Sequence, residues 1–414
     1  MVMVLIFAAT LLAAVLVSGL AQRSVLSTAI LFLLVGFVMG RGVLLLAPIK
    51  PGDPLIDQLA TLALFSVLFT DGMRANLRDL SSAWRLPGRA LFLGLPLTLI
   101  LTGLLARLLL GLPWAEAFLL GAVLSPTDPV FAAAIVGRDE VPIQLRRLLN
   151  VESGLNDGLA LPVVLVLLNV IGGTQVQVDA TLTELALGVG LGIVVPWILL
   201  RFERIELFSP ATAYEPLNAF GLGMLIFALG SLLNANLFLA AFVAGITIAT
   251  LGPEVRDAFH GFGESITELL KLSALLVFGA LISTRFIGTH IQWTGYLFAF
   301  LVLVAVRPLA LGVALRGSGI GWPVWIAAAW FGPKGFASMI YGFLFLKAGV
   351  PQGDYLFHIV AVLIAWSIIA HSSTDVLVAR WFRKANQRSR EGPAATPKQG
   401  GNFQAAVDAK ASIE

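Results

Sequence analysis

Apolar residues run through this chain in long stretches, each about the length of a bilayer-crossing helix, from the amino terminus to about residue 380. The stretches are continuous rather than alternating, which predicts helices and argues against a β-barrel. Their approximate limits are 3–21, 24–41, 55–72, 87–110, 114–137, 145–172, 181–202, 215–234, 236–252, 264–284, 292–315, 322–347 and 355–380, about thirteen spans in all. The predicted class is an all-α polytopic membrane protein.

Composition agrees. Of 414 residues 58% are hydrophobic and only 12% charged, about half the charge of a soluble domain. With the N-terminus outside, cytoplasmic loops hold Arg23, Arg74, Arg78, Arg85, Arg89, Arg138, Arg146, Arg147, Arg201, Arg204, Arg256 and Arg316. External loops hold only Arg41, Lys50, Arg107, Arg285 and Lys347. The positive-inside rule then puts the C-terminus in the cytoplasm, as does the basic start of the tail at Arg380, Arg383 and Lys384. The net charge of +3 is read as a topology signal, not as a nucleic-acid surface. No Lys or Arg precedes the first span, so it is expected to be a retained helix rather than a cleaved signal. The absence of cysteine excludes disulfides and thiol chemistry. Residues 384–414 are polar and are expected to form a disordered cytoplasmic tail. There is no Walker A motif, dinucleotide loop or HExxH. His260 and His290 are expected in loops, and His358 and His371 as packed or interfacial residues of the last span.

Two spans carry their own interruption. The fifth contains "LSPTDPV", in which Pro126 and Pro129 leave the carbonyls of Ala122 and Ser125 without helical donors. The helix should open there, around Asp128. A simple proline kink needs no aspartate. The twelfth contains "WFGPKGF", in which Pro333 frees the carbonyl of Ala329 between Gly332 and Gly335, with Lys334 at the break. Open backbone at membrane depth must be buried in protein or line a cavity. Broken helices at corresponding positions of two halves point to a transporter's central site. An offset of seven spans is what two inverted six-helix repeats joined by a linker helix would produce. Lys334 would offset the partial negative charge where half-helix carbonyls meet.

Five ionisable residues fall well inside predicted spans: Asp128, Glu152, Asp157, Arg307 and Lys334. At about 2.5–3.5 kcal/mol each, their independent insertion would cost on the order of 12–17 kcal/mol. They must pair, face the bundle interior or line a wet cavity. In "NVESGLNDGLALP", Ser153 and Asp157 are four apart and share a helical face, offering a hydroxyl and a carboxylate to a small hard cation. Glu152 lies about 140° away from Asp157 around the helix, so the two acids should do different jobs. Arg307 is the intramembrane partner expected for Glu152, in a bidentate structural pair. Asn156, beside Asp157, is neutral.

Together "SPTDPV", "ESGLND", the "RP" at Arg307 and "GPKG" resemble the monovalent cation:proton antiporter superfamily, in its NhaP-like sodium/proton antiporter branch. "FLAAFVAGI" (238–246) also resembles a family stretch, and the similarity covers about 1–380. The resemblance implies thirteen helices in two inverted six-helix repeats, with discontinuous helices 5 and 12 crossing, usually in a homodimer. Segments 87–172 and 291–383 would be the transport core, 1–86 and 215–290 the dimer scaffold, and 173–214 the linker helix. It implies Na+ binding by Asp157, Asp128, Ser153 and the carbonyl of Thr127. Glu152 and Arg307 would be the structural ion pair. A neutral Asn156 goes with electroneutral one-for-one exchange. Two positions depart from the pattern: Lys334 stands where Arg is usual, and "LFTDGM" puts Thr70 where many relatives have an acid. Asp71, which follows, is a candidate peripheral contact.

The function expected is exchange of Na+ or Li+ for H+ by alternating access, a proton and a cation competing for the same oxygens. The implied location is the inner or plasma membrane of a prokaryote. No cofactor, catalytic residue or nucleic-acid partner is expected beyond the transported ions and the lipid. The alternative of the same fold is K+/H+ antiport. A cation channel and an intramembrane aspartyl protease are remote alternatives. The second lacks GxGD, although "ALP" (160–162) superficially matches that class.

Overall fold

A computed structural model describes residues 2–21, 28–46, 49, 52–74, 85–128, 135, 138, 140–172, 178–203, 205 and 214–390. Arg23, Lys50, Arg78, Pro129, Arg204 and the tail beyond Arg390 lie outside the described residues. Helix is the only regular structure among those described. In chain order the helices are α1 Val2–Ala21, α2 Thr28–Met39, α3 Pro54–Arg74, α4 Arg85–Leu110, α5 Trp114–Leu124, α6 Ile143–Ile171, α7 Val178–Glu203 and α8 Glu215–Leu232. There follow α9 Leu237–Leu251, α10 Pro253–Leu281, α11 Thr284–His290, α12 Trp293–Ala314, α13 Trp322–Trp330, α14 Phe336–Lys347 and α15 Gly353–Arg390. By length and composition seven of the described helices can cross a membrane: α3, α4, α6, α7, α8, α12 and α15. Counting α10 and α11, bent by 51° where they meet, as one span makes eight.

Local chemistry explains most boundaries. The tight join between α8 and α9 is made by Asn234, at φ 52°, and by Asn236, whose side chain accepts from the Leu239 amide at 2.9 Å. α10 begins at Pro253, eleven residues before the expected 264. Glu254, Arg256 and Asp257 mask an amphipathic start in which Phe259 and Gly263, one turn apart, are buried. His260 is therefore helical rather than in a loop, and His290 ends the short α11. α4 and α12 contain π-helical turns that no apolar pattern reveals. The one in α12, Val302–Val306, directly precedes Arg307 and Pro308, and Pro308 cannot donate to the Val304 carbonyl. α15 is 38 residues long and has no proline and no glycine after Gly353.

Two packing neighbourhoods emerge. In one, α3 packs on α9, α2 on α10, α7 on α9 and α8 on α10. These contacts are close because small residues let backbones meet: a Cβ at Gly245 would strike the Phe69 carbonyl, and one at Gly279 the Leu33 carbonyl. In the other, α4 packs on α5, α5 on α6, α12 on α13 and α14 on α15. Contacts of α3 and α9 with α6, and of α10 with α14, join the two.

Candidate functional site

The fifth span stops being helical at Leu124, and the twelfth is open between Trp330 and Phe336. The two openings cross. The Asp128 amide donates to the Pro333 carbonyl at 2.8 Å, so the broken strands touch through their backbones. Each opening also lends the other its charged side chain. Asp128 Oδ2 accepts from the Phe336 amide at 3.0 Å, at the positive end of half-helix α14. Lys334 Nζ donates to the carbonyls of Ser125 and Pro126 at 3.3 and 3.2 Å, at the negative end of half-helix α5. Gly332 and Gly335 are small for identifiable reasons. A Cβ on Gly335 would overlap the Asp128 side chain, and one on Gly332 the Arg307 side chain.

α6 runs beside this crossing and brings Glu152, Ser153, Asn156 and Asp157 to it, all buried. Arg307 reaches Glu152 from α12 in a two-pronged pair, Nη1 to Oε1 at 2.7 Å and Nη2 to Oε2 at 2.9 Å. The side chains of both residues are 6% exposed. Ser153 Oγ and Thr127 Oγ1 are 3.3 Å apart. Asn156 Nδ2 donates to Thr127 Oγ1 at 2.8 Å and to its carbonyl at 3.3 Å, while Asn156 Oδ1 is buried with no hydrogen-bond partner among the described residues. Asp157 differs from Glu152. Its carboxylate makes no hydrogen bond or ion pair among the described residues, although the residue is only 7% exposed. Its backbone carbonyl accepts from Tyr341 Oη at 2.8 Å.

The expected residues are thus brought together: Asp128, Thr127, Ser153, Asn156 and Asp157 around the fifth-span opening, and Glu152 with Arg307 beside it. Asp71, the candidate peripheral contact, stands near the end of α3. It lies within electrostatic reach of both Asp128 and Asp157. It also pairs with Arg74 at 3.6 Å. Among the described residues no three carboxylates or histidines converge as ligands of one metal ion. Sequence reasoning missed Ser338 and Tyr341. Ser338 Oγ donates to the Val123 carbonyl at 2.8 Å and clamps α14 to the end of α5. The signal was two polar residues three apart on one face of an apolar helix.

The comparisons follow the same lines. The chain is 24% identical over 384 residues to the K(+)/H(+) antiporter NhaP2 of Shewanella sp. (strain MR-4), covering 88% of this chain and 64% of that protein. It is 25% identical over 366 residues to the K(+)/H(+) antiporter NhaP of Alkalimonas amylolytica, covering 86% and 62%. The chain therefore spans less than two thirds of the length of these relatives. Its fold matches that of the sodium proton antiporter MjNhaP1 from Methanocaldococcus jannaschii at a TM-score of 0.76 and 20% identity, over 92% of this chain and 99% of that one. The family description "Sodium/hydrogen exchanger, transmembrane" matches residues 8–380, nine tenths of the chain. Two crossed, charge-exchanging breaks beside a buried aspartate thus sit in a chain that belongs to the transmembrane sodium/hydrogen exchanger family.

Proposed function

We propose that the chain exchanges Na+ or Li+ for H+ across the membrane by alternating access, one for one. The observation that carries this is Asp157. A buried carboxylate with no hydrogen-bond or ion-pair partner among the described residues is costly unless something neutralises it. A proton or a monovalent cation does so, and the two exclude each other. Asp157 is the main carrier. Asp128, the Ser153 hydroxyl and the Thr127 carbonyl complete the cation's oxygen set, and Asn156 holds Thr127 in place. The neutral Asn156 leaves a net exchange of one charge for one. Glu152 and Arg307 are structural, since their charges are already matched. Lys334 compensates the carbonyl end of α5. Asp71 tunes the field at Asp157 from α3.

The moving part in this reading is the core of 87–172 and 291–383, carried against a scaffold of 1–86 and 215–290 with 173–214 as linker. The two packing neighbourhoods support that division. The reading includes thirteen helices in inverted repeats, a homodimer, and an external N-terminus with the C-terminus in the cytoplasm of a prokaryotic cell. Membership in an exchanger family favours a carrier over a channel or an intramembrane peptidase.

K+/H+ exchange is the second reading, favoured by the NhaP and NhaP2 relatives, which are named as K+/H+ antiporters. Dequenching of a pH dye in proteoliposomes, with Na+, Li+ and K+ added in turn, separates the two. Proton movement with Na+ and Li+ but not K+ is expected. Movement with K+ alone selects the second reading. A rate that follows an imposed voltage rules out one-for-one exchange.

A further inference from the structure

An unbroken twelfth span would join the Lys334 amide to the Trp330 carbonyl, four residues back. Here α13 ends at Trp330 and α14 starts at Phe336, so that hydrogen bond is lost. Lys334 is 3% exposed, and an unanswered backbone group at such a place is strongly disfavoured.

Both groups are answered from α15. The Lys334 amide donates to Ser367 Oγ at 2.9 Å. His371 Nε2 lies 2.9 Å from the Trp330 carbonyl, to which an N–H on that nitrogen donates. Ser367 Oγ and His371 Nδ1 are 3.2 Å apart. Ser367 and His371 are one turn apart on one face of α15, and they are 0% and 1% exposed. One step further, Trp330 Nε1 donates to Thr374 Oγ1 at 2.9 Å, which fastens the same end of α13 to α15 again.

We infer that Ser367 and His371 splice the broken helix. Two side chains carry between Trp330 and Lys334 the connection that the backbone gave up. They thereby position Lys334, whose ammonium meets the carbonyls of Ser125 and Pro126 in the facing break. The splice needs a proton on Nε2, which the neutral Nε2–H form and the doubly protonated ring both supply and the Nδ1–H tautomer does not. With a proton on Nε2 alone, Nδ1 accepts the Ser367 hydroxyl. With both nitrogens protonated, Nδ1–H turns to the Ser367 carbonyl 2.7 Å away. The outer bonds, from Lys334 and to Trp330, persist in either form. A splice of this kind holds the opening at one width while leaving it open.

The consequence for transport rests on the exchange function proposed above, so the test has one arm that needs transport and one that does not. The first is hydrogen–deuterium exchange of the full chain in nanodiscs, read at the Lys334 amide. Ser367→Ala is expected to speed exchange there at least tenfold, and Ser367→Thr to restore protection. Unchanged protection in Ser367→Ala overturns the splice. The second is cation titration in proteoliposomes. Ser367→Ala and His371→Phe are expected to raise the half-saturating cation concentration about tenfold, about the effect of one hydrogen bond. Maximal rate should stay within about twofold. Ser367→Thr and His371→Gln, whose amide can still donate to Trp330, should behave as wild type. A fall in maximal rate or folded yield with half-saturation unchanged assigns these residues a merely structural role and overturns the positioning. Wild-type vesicles without cation-coupled proton flux would defeat the transport reading, while the amide arm still decides the splice.

Discussion

Glu152 and Asp157 sit on the same helix, five residues apart, both buried, both carboxylates. Glu152 has each oxygen held by a guanidinium nitrogen of Arg307. Asp157 has neither oxygen held by a protein group among the described residues. The difference is one of rotation around α6: Glu152 turns toward Arg307 on α12, and Asp157 lies about 140° away around the helix. A carboxylate whose charge is already matched has nothing to offer a passing ion. In the proposed exchange, one without such a pair takes up a proton or a cation. In that exchange, position on the helix divides two chemically similar residues into an anchor and a carrier.

Four substitutions probe that division. The largest effect belongs to Asp157→Asn, which should abolish cation-coupled proton movement in proteoliposomes while leaving the melting temperature unchanged or higher, because an unmatched charge is removed. Wild-type flux from this variant would end the assignment. Glu152→Gln should do the reverse. Breaking one side of a buried pair costs about 3–5 kcal/mol, so folded yield and melting temperature should fall. Cation affinity of the surviving protein should stay within about twofold. Full yield with affinity lost would make Glu152 a ligand. Lys334→Met removes charge-assisted bonds to two carbonyls and should lower stability by about 1.5–3 kcal/mol, read as a shift in thermal unfolding. The smallest change in the fold is expected for Asp128→Asn, whose side-chain oxygen can still accept from Phe336. Stability should move by less than about 1 kcal/mol. Apparent cation affinity in a flux titration should fall roughly tenfold, and unchanged affinity would remove Asp128 from the ion's oxygen set.

Much of this was legible because prolines and charges are conspicuous in an apolar chain. Pro126 and Pro333 mark the two openings, and the spacing of Glu152, Ser153 and Asp157 sorts their directions. The partner of Glu152 followed from there being a single arginine deep inside a span. What stayed hidden was mostly reciprocal. The sequence places Lys334 at half-helix carbonyls, but nothing in "SPTDPV" reveals that Asp128 would serve the amide end of the other break, because that contact crosses about two hundred residues of chain. The early start of α10 was obscured by exposed charges on its outer face. Asp71 looked peripheral because it is shifted by one residue, yet that shift leaves it within the field of Asp157. The fates of Ser367 and His371 depend on a gap in a neighbouring helix that only three dimensions can show.

At 1.5 Å per residue, the 38 residues of α15 make a rod about 57 Å long. The hydrocarbon of a bilayer is about 30 Å thick, so nearly half of that rod stands clear of it. The stretch that grips Trp330 and Lys334 and the stretch that emerges into water are one stiff shaft, with no proline and no internal glycine to bend at. Ala379 and Phe382, on the far half of the same helix, are buried in one cluster with Phe331, so packing as well as hydrogen bonds ties that half to the twelfth-span opening.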